Sequence, residues 1–121
     1  MMIELDVTTE STVRLSELVP QLAMEMRTSL KQMGESELAA TVDQLPITGR
    51  CRCHDRFCGS FYVAPREHAF TRHHRTLVVD VQHGLVNLSI ATRADGPGEE
   101  ITYVEAFCRN DVQDALNRLF E

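Results

Sequence analysis

The chain reads as an α+β domain, a mainly antiparallel sheet of about five to six strands with two N-terminal helices and one C-terminal helix packed on one face. Three observations predict this. Early in the chain Leu15, Leu18, Val19, Leu22, Met26, Leu30 and Met33 recur at three- and four-residue steps, the apolar stripe of an amphipathic helix. Later, the runs 77–82 and 85–92 alternate on either side of His83-Gly84, as two strands joined by a tight turn do. The chain closes on Val112, Ala115, Leu116, Leu119 and Phe120, again at helical spacing. Helices at both ends of a block of strands suit an antiparallel sheet covered on one side, not alternating βα units.

Taken in order, Met2 to Thr8 places Ile3, Leu5 and Val7 opposite Glu4 and Asp6, which predicts a short strand. The first helix follows from about Thr12. Pro20 interrupts it, so the helix either starts near Pro20 or kinks there, and Gly34 ends it. Ser36 is the expected cap of a second helix with Leu38, Ala39, Val42 and Leu45 on one face, stopped by Pro46. Ile47 to His54 alternates, and Cys58 to Val63 is rich in aromatic and β-branched residues, which predicts a hairpin with His54 to Phe57 as its loop. The stretch 64–75 has no clear period and reads as a loop. In the 77–92 hairpin, Val81 would oppose Val86, Val79 oppose Leu88 and Leu77 oppose Ile90, giving one wholly apolar face. Residues 93–100 form a turn-rich acidic loop, and Ile101 to Cys108 a strand apolar on both faces, suited to a central position. Asn110 would cap the last helix, with Gln113 completing a capping box. No repeat, low-complexity tract or linker divides residues 1–121, so a single domain is expected at this length.

Composition limits the functional classes. The net charge of −6 speaks against generic nucleic-acid or anionic-membrane binding. No apolar run approaches the roughly 20 residues of a membrane span. The acidic N-terminus lacks a secretory signal, which predicts a cytoplasmic protein with reduced thiols. Charge is also uneven: residues 1–49, 50–75 and 76–121 carry −5, +4 and −5. The middle segment is a basic island, its six arginines joined by His54, His68, His73 and His74.

That island contains the one chemically distinctive stretch, R-C-R-C-H-D-R-F-C-G-S-F-Y-V from Arg50 to Val63, with Cys51, Cys53 and Cys58 within eight positions. In the predicted hairpin Cys53 opposes Cys58 and Cys51 opposes Ser60. All three thiols then project from one face, away from Arg50, Arg52 and His54. Three chemistries fit. The thiols could form a structural zinc site, with His54, His68, His73, His74 or Cys108 as the fourth ligand. They could be small buried side chains of a dry core. They could serve redox or transient metal handling, with the arginines favouring thiolate. The C-x-C-x4-C spacing differs from the paired C-x2-C of common zinc sites. A thiol nucleophile is not indicated, since Cys53 and His54 point to opposite faces of a strand. Gly96-Pro97-Gly98 lies among carboxylates and is no phosphate loop.

The cysteine stretch, with H-R-T-L-V-V-D-V-Q-H-G and Y-V-E-A-F-C-R-N-D-V after it, resembles a set of small uncharacterised bacterial proteins sharing a CxCxDxxCxSFY motif. The resemblance covers about residues 45–120 and brings no mechanism with it. In size, acidity and lack of catalytic residues the chain is also similar to bacterial toxin-immunity proteins, a likeness of general character from which no residue is carried over. The leading expectation is a non-enzymatic binding protein of immunity or inhibitor type, using Asp95, Glu99, Glu100 and Glu105 against a basic partner such as a toxin domain. The alternative is a metal-handling or thiol-redox protein working through the cysteine cluster.

Overall fold

A computed structural model describes residues 13–53, 55–65, 67, 72–93 and 95–120. The strand expected at Met2 to Thr8 lies outside the described residues. Helix α1 spans Leu15–Leu18 and α2 Pro20–Gln32. Between them Val19 leaves helical geometry (φ −134°, ψ 71°) and Pro20 takes the first position of α2. Proline pushes its predecessor out of the α region and needs no donor at a helix start, so the apolar stripe is cut into two rods. Gly34 ends α2 at φ +81°. Its N–H and that of Glu35 donate to the carbonyls of Lys31 (3.1 Å) and Leu30 (2.8 Å), closing the last turn.

Helix α3 (Ser36–Thr41) runs into a short 3₁₀ turn at Val42–Gln44. Ser36 is the first helical residue here and not the cap. The cap position belongs to Glu35, which makes no side-chain cap bond. Its carboxylate is instead held by both terminal nitrogens of Arg75, at 2.8 and 2.9 Å.

Five strands follow: β1 (Gly49–Arg50), β2 (Phe61–Tyr62), β3 (His73–Val79), β4 (Leu85–Thr92) and β5 (Glu99–Phe107). They form one antiparallel sheet in the order β1-β2-β5-β4-β3, so the last strand in sequence is the central one. Leu77, Leu88, Val104 and Phe61 fall in one row across the sheet. With Val79, Val86 and Ala106 they meet Leu22, Met26, Leu30, Val112 and Leu116 in a single core. The opposite face carries Thr76, Ser89, Tyr103 and Tyr62 in the adjacent row.

Three expectations about strand ends are corrected, the first being that residues 93–100 are all loop, since β5 already begins at Glu99. The β3–β4 pairing is displaced by two residues: Val79 faces Val86 and Leu77 faces Leu88. A shift of two preserves the apolar face, and residues 80–84 become a five-residue connection. The backbone at its start is taken up by α2, since Asp80 N–H donates to Ser29 Oγ at 3.0 Å. The stretch 64–75 is also not loop throughout, because β3 begins at His73.

Helix α4 covers Asn110–Phe120. Gln113 N–H donates to the Arg109 carbonyl at 3.0 Å, which puts Arg109, not Asn110, at the cap position. With the cap at Arg109, Gln113 is no longer at the third helical position and the expected capping box does not form; the Gln113 amide donates to the Arg56 carbonyl. That bond ties α4 to the loop between the cysteines.

Candidate metal centre

The cysteine hairpin keeps the expected register for only a few residues. Gly49 faces Tyr62, Arg50 faces Phe61, and Cys51 N–H donates to the Ser60 carbonyl at 2.9 Å. After Cys51 the chain leaves the ladder. Asp55 organises the turn: its Oδ1 accepts the Phe57 N–H at 2.8 Å and its carbonyl the Cys58 N–H at 3.1 Å. Cys58 bridges to Phe107 of β5, and Gly59 donates to the Ala106 carbonyl at 2.8 Å. Gly59 also packs so tightly on α4 that a Cβ there would lie 3.2 Å from both Val112 and Gln113. The exposed loop is thus pinned at both ends, to the central strand and to the last helix.

This brings the sulfurs of Cys51, Cys53 and Cys58 within 4.8 Å of one another. None is in a disulfide. Tetrahedral zinc–thiolate bonds of about 2.3 Å imply sulfurs about 3.8 Å apart, so the trio lies close enough to hold a metal ion. Cys58 is buried, Cys51 half-buried and Cys53 exposed. They line a cavity of about 290 Å³ together with Arg50, Arg52, Asp55, Asn117 and Phe120. Alternation predicts both arginines pointing away from the thiols, yet both line the same cavity: Arg52 lies beyond the end of β1 and is free of the pleat, and Arg50, still in the ladder, reaches Asn117 of α4 at the cavity edge.

Burial pushes the Cys51 thiol up, but hydrogen bonds from the Cys53 backbone and thiol, the Tyr103 hydroxyl and the Cys58 thiol outweigh it, and its pKa lies below the usual thiol value. For Cys53 a backbone hydrogen bond at Asp55 pulls down, while Cys51 and Cys58 push harder the other way, leaving it raised. Tyr103 is raised, chiefly by burial. It stacks at a tilt on Tyr62, centroids 4.6 Å apart, beneath the cluster.

Of the fourth ligands expected, His54 and His68 lie outside the described residues. His73 and His74 sit on β3, at the opposite edge of the sheet from β1. His73 meets Thr76 Oγ1 at 3.1 Å and His74 pairs with Glu99. Cys108 turns the chain from β5 into α4 at φ +60°. Its N–H donates to the Phe57 carbonyl at 2.9 Å, yet its exposed thiol is not part of the group.

The carboxylates expected to meet a partner are dispersed. Asp95 is engaged by Arg93 and Glu99 by Arg75 and His74. Glu105 accepts from the Asn87 amide at 3.2 Å, and Glu100 is half-buried opposite Ala91. The basic island also separates in space: Arg50 and Arg52 join the thiols, whereas Arg75 lies across the sheet between Glu35 and Glu99. Asn117 and Tyr103 also reach the site. A polar residue on a helix and a tyrosine on a strand give no local sign that they will reach a cysteine loop far away in sequence. No helix among the described residues is long and apolar enough to cross a membrane. No family model, curated protein or solved structure matches the chain.

Proposed function

We propose that the protein binds a thiophilic metal ion, zinc first among them, through Cys51, Cys53 and Cys58. The observation that carries this reading is the mutual approach of three sulfurs within 4.8 Å, without a disulfide, on a loop anchored to both β5 and α4. Three clustered thiolates would repel one another unless a cation sat among them or protons remained. Arg50 and Arg52 in the same cavity offset part of that charge. With Cys53 exposed the site suits metal handling better than a sealed structural clasp. The acidic inhibitor reading rests on net charge, and Asp95 and Glu99 are each already neutralised by an arginine, so it is set second.

The test is metal analysis of protein purified under reducing conditions with zinc present, with thiols titrated before and after a chelator. About one zinc per chain is expected, with three of the four thiols gaining reactivity on chelation. Single serine replacements at Cys51, Cys53 or Cys58 should each remove the metal, and Cys108→Ser should retain it. Metal-free protein, or binding that survives loss of any one of the three, would overturn the reading.

A further inference from the structure

Three thiols account for three positions around a tetrahedral ion. Among the described residues no other cysteine, histidine, aspartate or glutamate joins the group. The cavity that the thiols line is completed by Arg50, Arg52, Asp55, Asn117 and Phe120. Arg50 Nη1 donates to Asn117 Oδ1 at 2.8 Å, which fixes one edge of its fork and leaves further N–H groups for a ligand. Asp55 also lines the cavity; one of its carboxylate oxygens accepts the Phe57 N–H, and it does not join the three sulfurs.

Resting on the metal reading above, we propose that the fourth position belongs to an exchangeable ligand, the carboxylate of a small molecule. One carboxylate oxygen binds the metal and the other accepts from Arg50 or Arg52. The donor set selects this class. A divalent ion with three thiolates carries one negative charge, the two arginines add two positive charges and Asp55 one negative, so the site is close to neutral and the arginine N–H groups, not net charge, select the ligand. The planar guanidinium fork matches a carboxylate, which one amine or one hydroxyl would not fill. A cavity of about 290 Å³ holds a ligand of a few heavy atoms and excludes a folded partner.

Cobalt(II)-substituted protein provides the test, with acetate as the probe. Thiolate-to-cobalt charge-transfer absorption reports the three sulfurs, and the d–d bands report the fourth ligand. Acetate is expected to shift the d–d bands in a saturable manner. The Arg50→Ala/Arg52→Ala variant should keep the charge-transfer band and bind acetate about tenfold more weakly. His54→Ala should respond to acetate as the parent does. Bands insensitive to acetate but altered by His54→Ala would place the imidazole on the metal, overturning this inference while the metal reading stands. Equal acetate affinity without the arginines would overturn the recognition argued here. Absence of charge-transfer absorption would overturn the metal reading and this inference with it.

Discussion

Replacing Arg109 with methionine should cost more stability than any other single charge change in the described structure, by an amount that depends on pH. Arg109 is fully buried and joins two helices. Its Nη1 donates to Glu25 Oε1 of α2 at 2.5 Å, and Nε and Nη2 donate to the two oxygens of Asp111 in α4 at 3.1 and 2.8 Å. The Asp111 side chain is 37% exposed and regains water when the arginine is removed, but that of Glu25 is 6% exposed and regains far less. Most of the cost therefore comes from a stranded Glu25. Breaking a buried pair from one side costs about 3–5 kcal/mol. We expect the lower part of that range, about 3 kcal/mol, because the Gln21 amide still donates to Glu25 at 3.1 Å.

The pH dependence follows from the same contacts. In the parent, burial pushes the Glu25 carboxyl up, but hydrogen bonds from Arg109 and Gln21 prevail and hold it below its usual value. A depressed folded pKa adds stability above the unfolded value and loses it as pH falls through the folded one. Without Arg109, burial dominates, the folded pKa rises above the unfolded one, and the variant gains stability as pH falls. The difference between parent and variant should thus be widest near neutrality and narrow toward acid. Urea unfolding followed by far-UV circular dichroism at pH 7 and about pH 4.5 measures it. Glu25→Gln should cost less, about 1–2 kcal/mol, and the double apolar replacement Arg109→Met/Glu25→Met less than Arg109→Met alone. A loss below about 1 kcal/mol at pH 7, or a difference that does not shrink in acid, would refute the reasoning.

Two further outcomes concern other contacts. Glu99 is held at about pKa 2 by hydrogen bonds from Arg75 and His74, so its contribution is present above the unfolded carboxyl range and lost as pH falls toward 2. Glu99→Gln should cost about 1 kcal/mol at pH 7, and it should flatten the acid limb of a stability–pH curve. An unchanged acid limb would show that Arg75 is satisfied by Glu35 alone. At Gly84 (φ +77°) an added Cβ would lie 2.6 Å from the Phe107 carbonyl oxygen and 2.7 Å from Arg109 Cγ. Gly84→Ala should therefore cost about 2–4 kcal/mol in thermal or urea unfolding, and parent-like stability would refute the close approach.

The cysteine site was partly legible because its key geometry is local. Alternation and loop length place Cys51 opposite Ser60, and the Cys51 N–H bond to the Ser60 carbonyl has that register. Arg52 departs from the expected side because alternation holds only while the chain stays in a ladder and β1 ends at Arg50, whereas Arg50 comes to the cavity edge through its bond to Asn117 of α4. The same limit explains the β3–β4 hairpin. Its apolar face follows from periodicity of two, but the length of the turn depended on Ser29 of α2 taking the Asp80 N–H. The helices expected to be capped by Ser36 and Asn110 each begin one residue earlier, with Glu35 and Arg109 at the cap positions, and the side chains of Glu35 and Gln113 are taken by Arg75 and the Arg56 carbonyl.

By itself the sequence determined the α+β class and the buried faces, which depend on repeat lengths of a few residues, and it set the three thiols within eight positions of one another. Only the tertiary structure decided which charges meet. It buried Arg109 with Glu25, 84 positions apart, placed β5 at the centre of the sheet, and carried His73 and His74 to the edge away from the cysteines. Charge pairing requires elements distant in the chain to become neighbours, and no local periodicity encodes that adjacency.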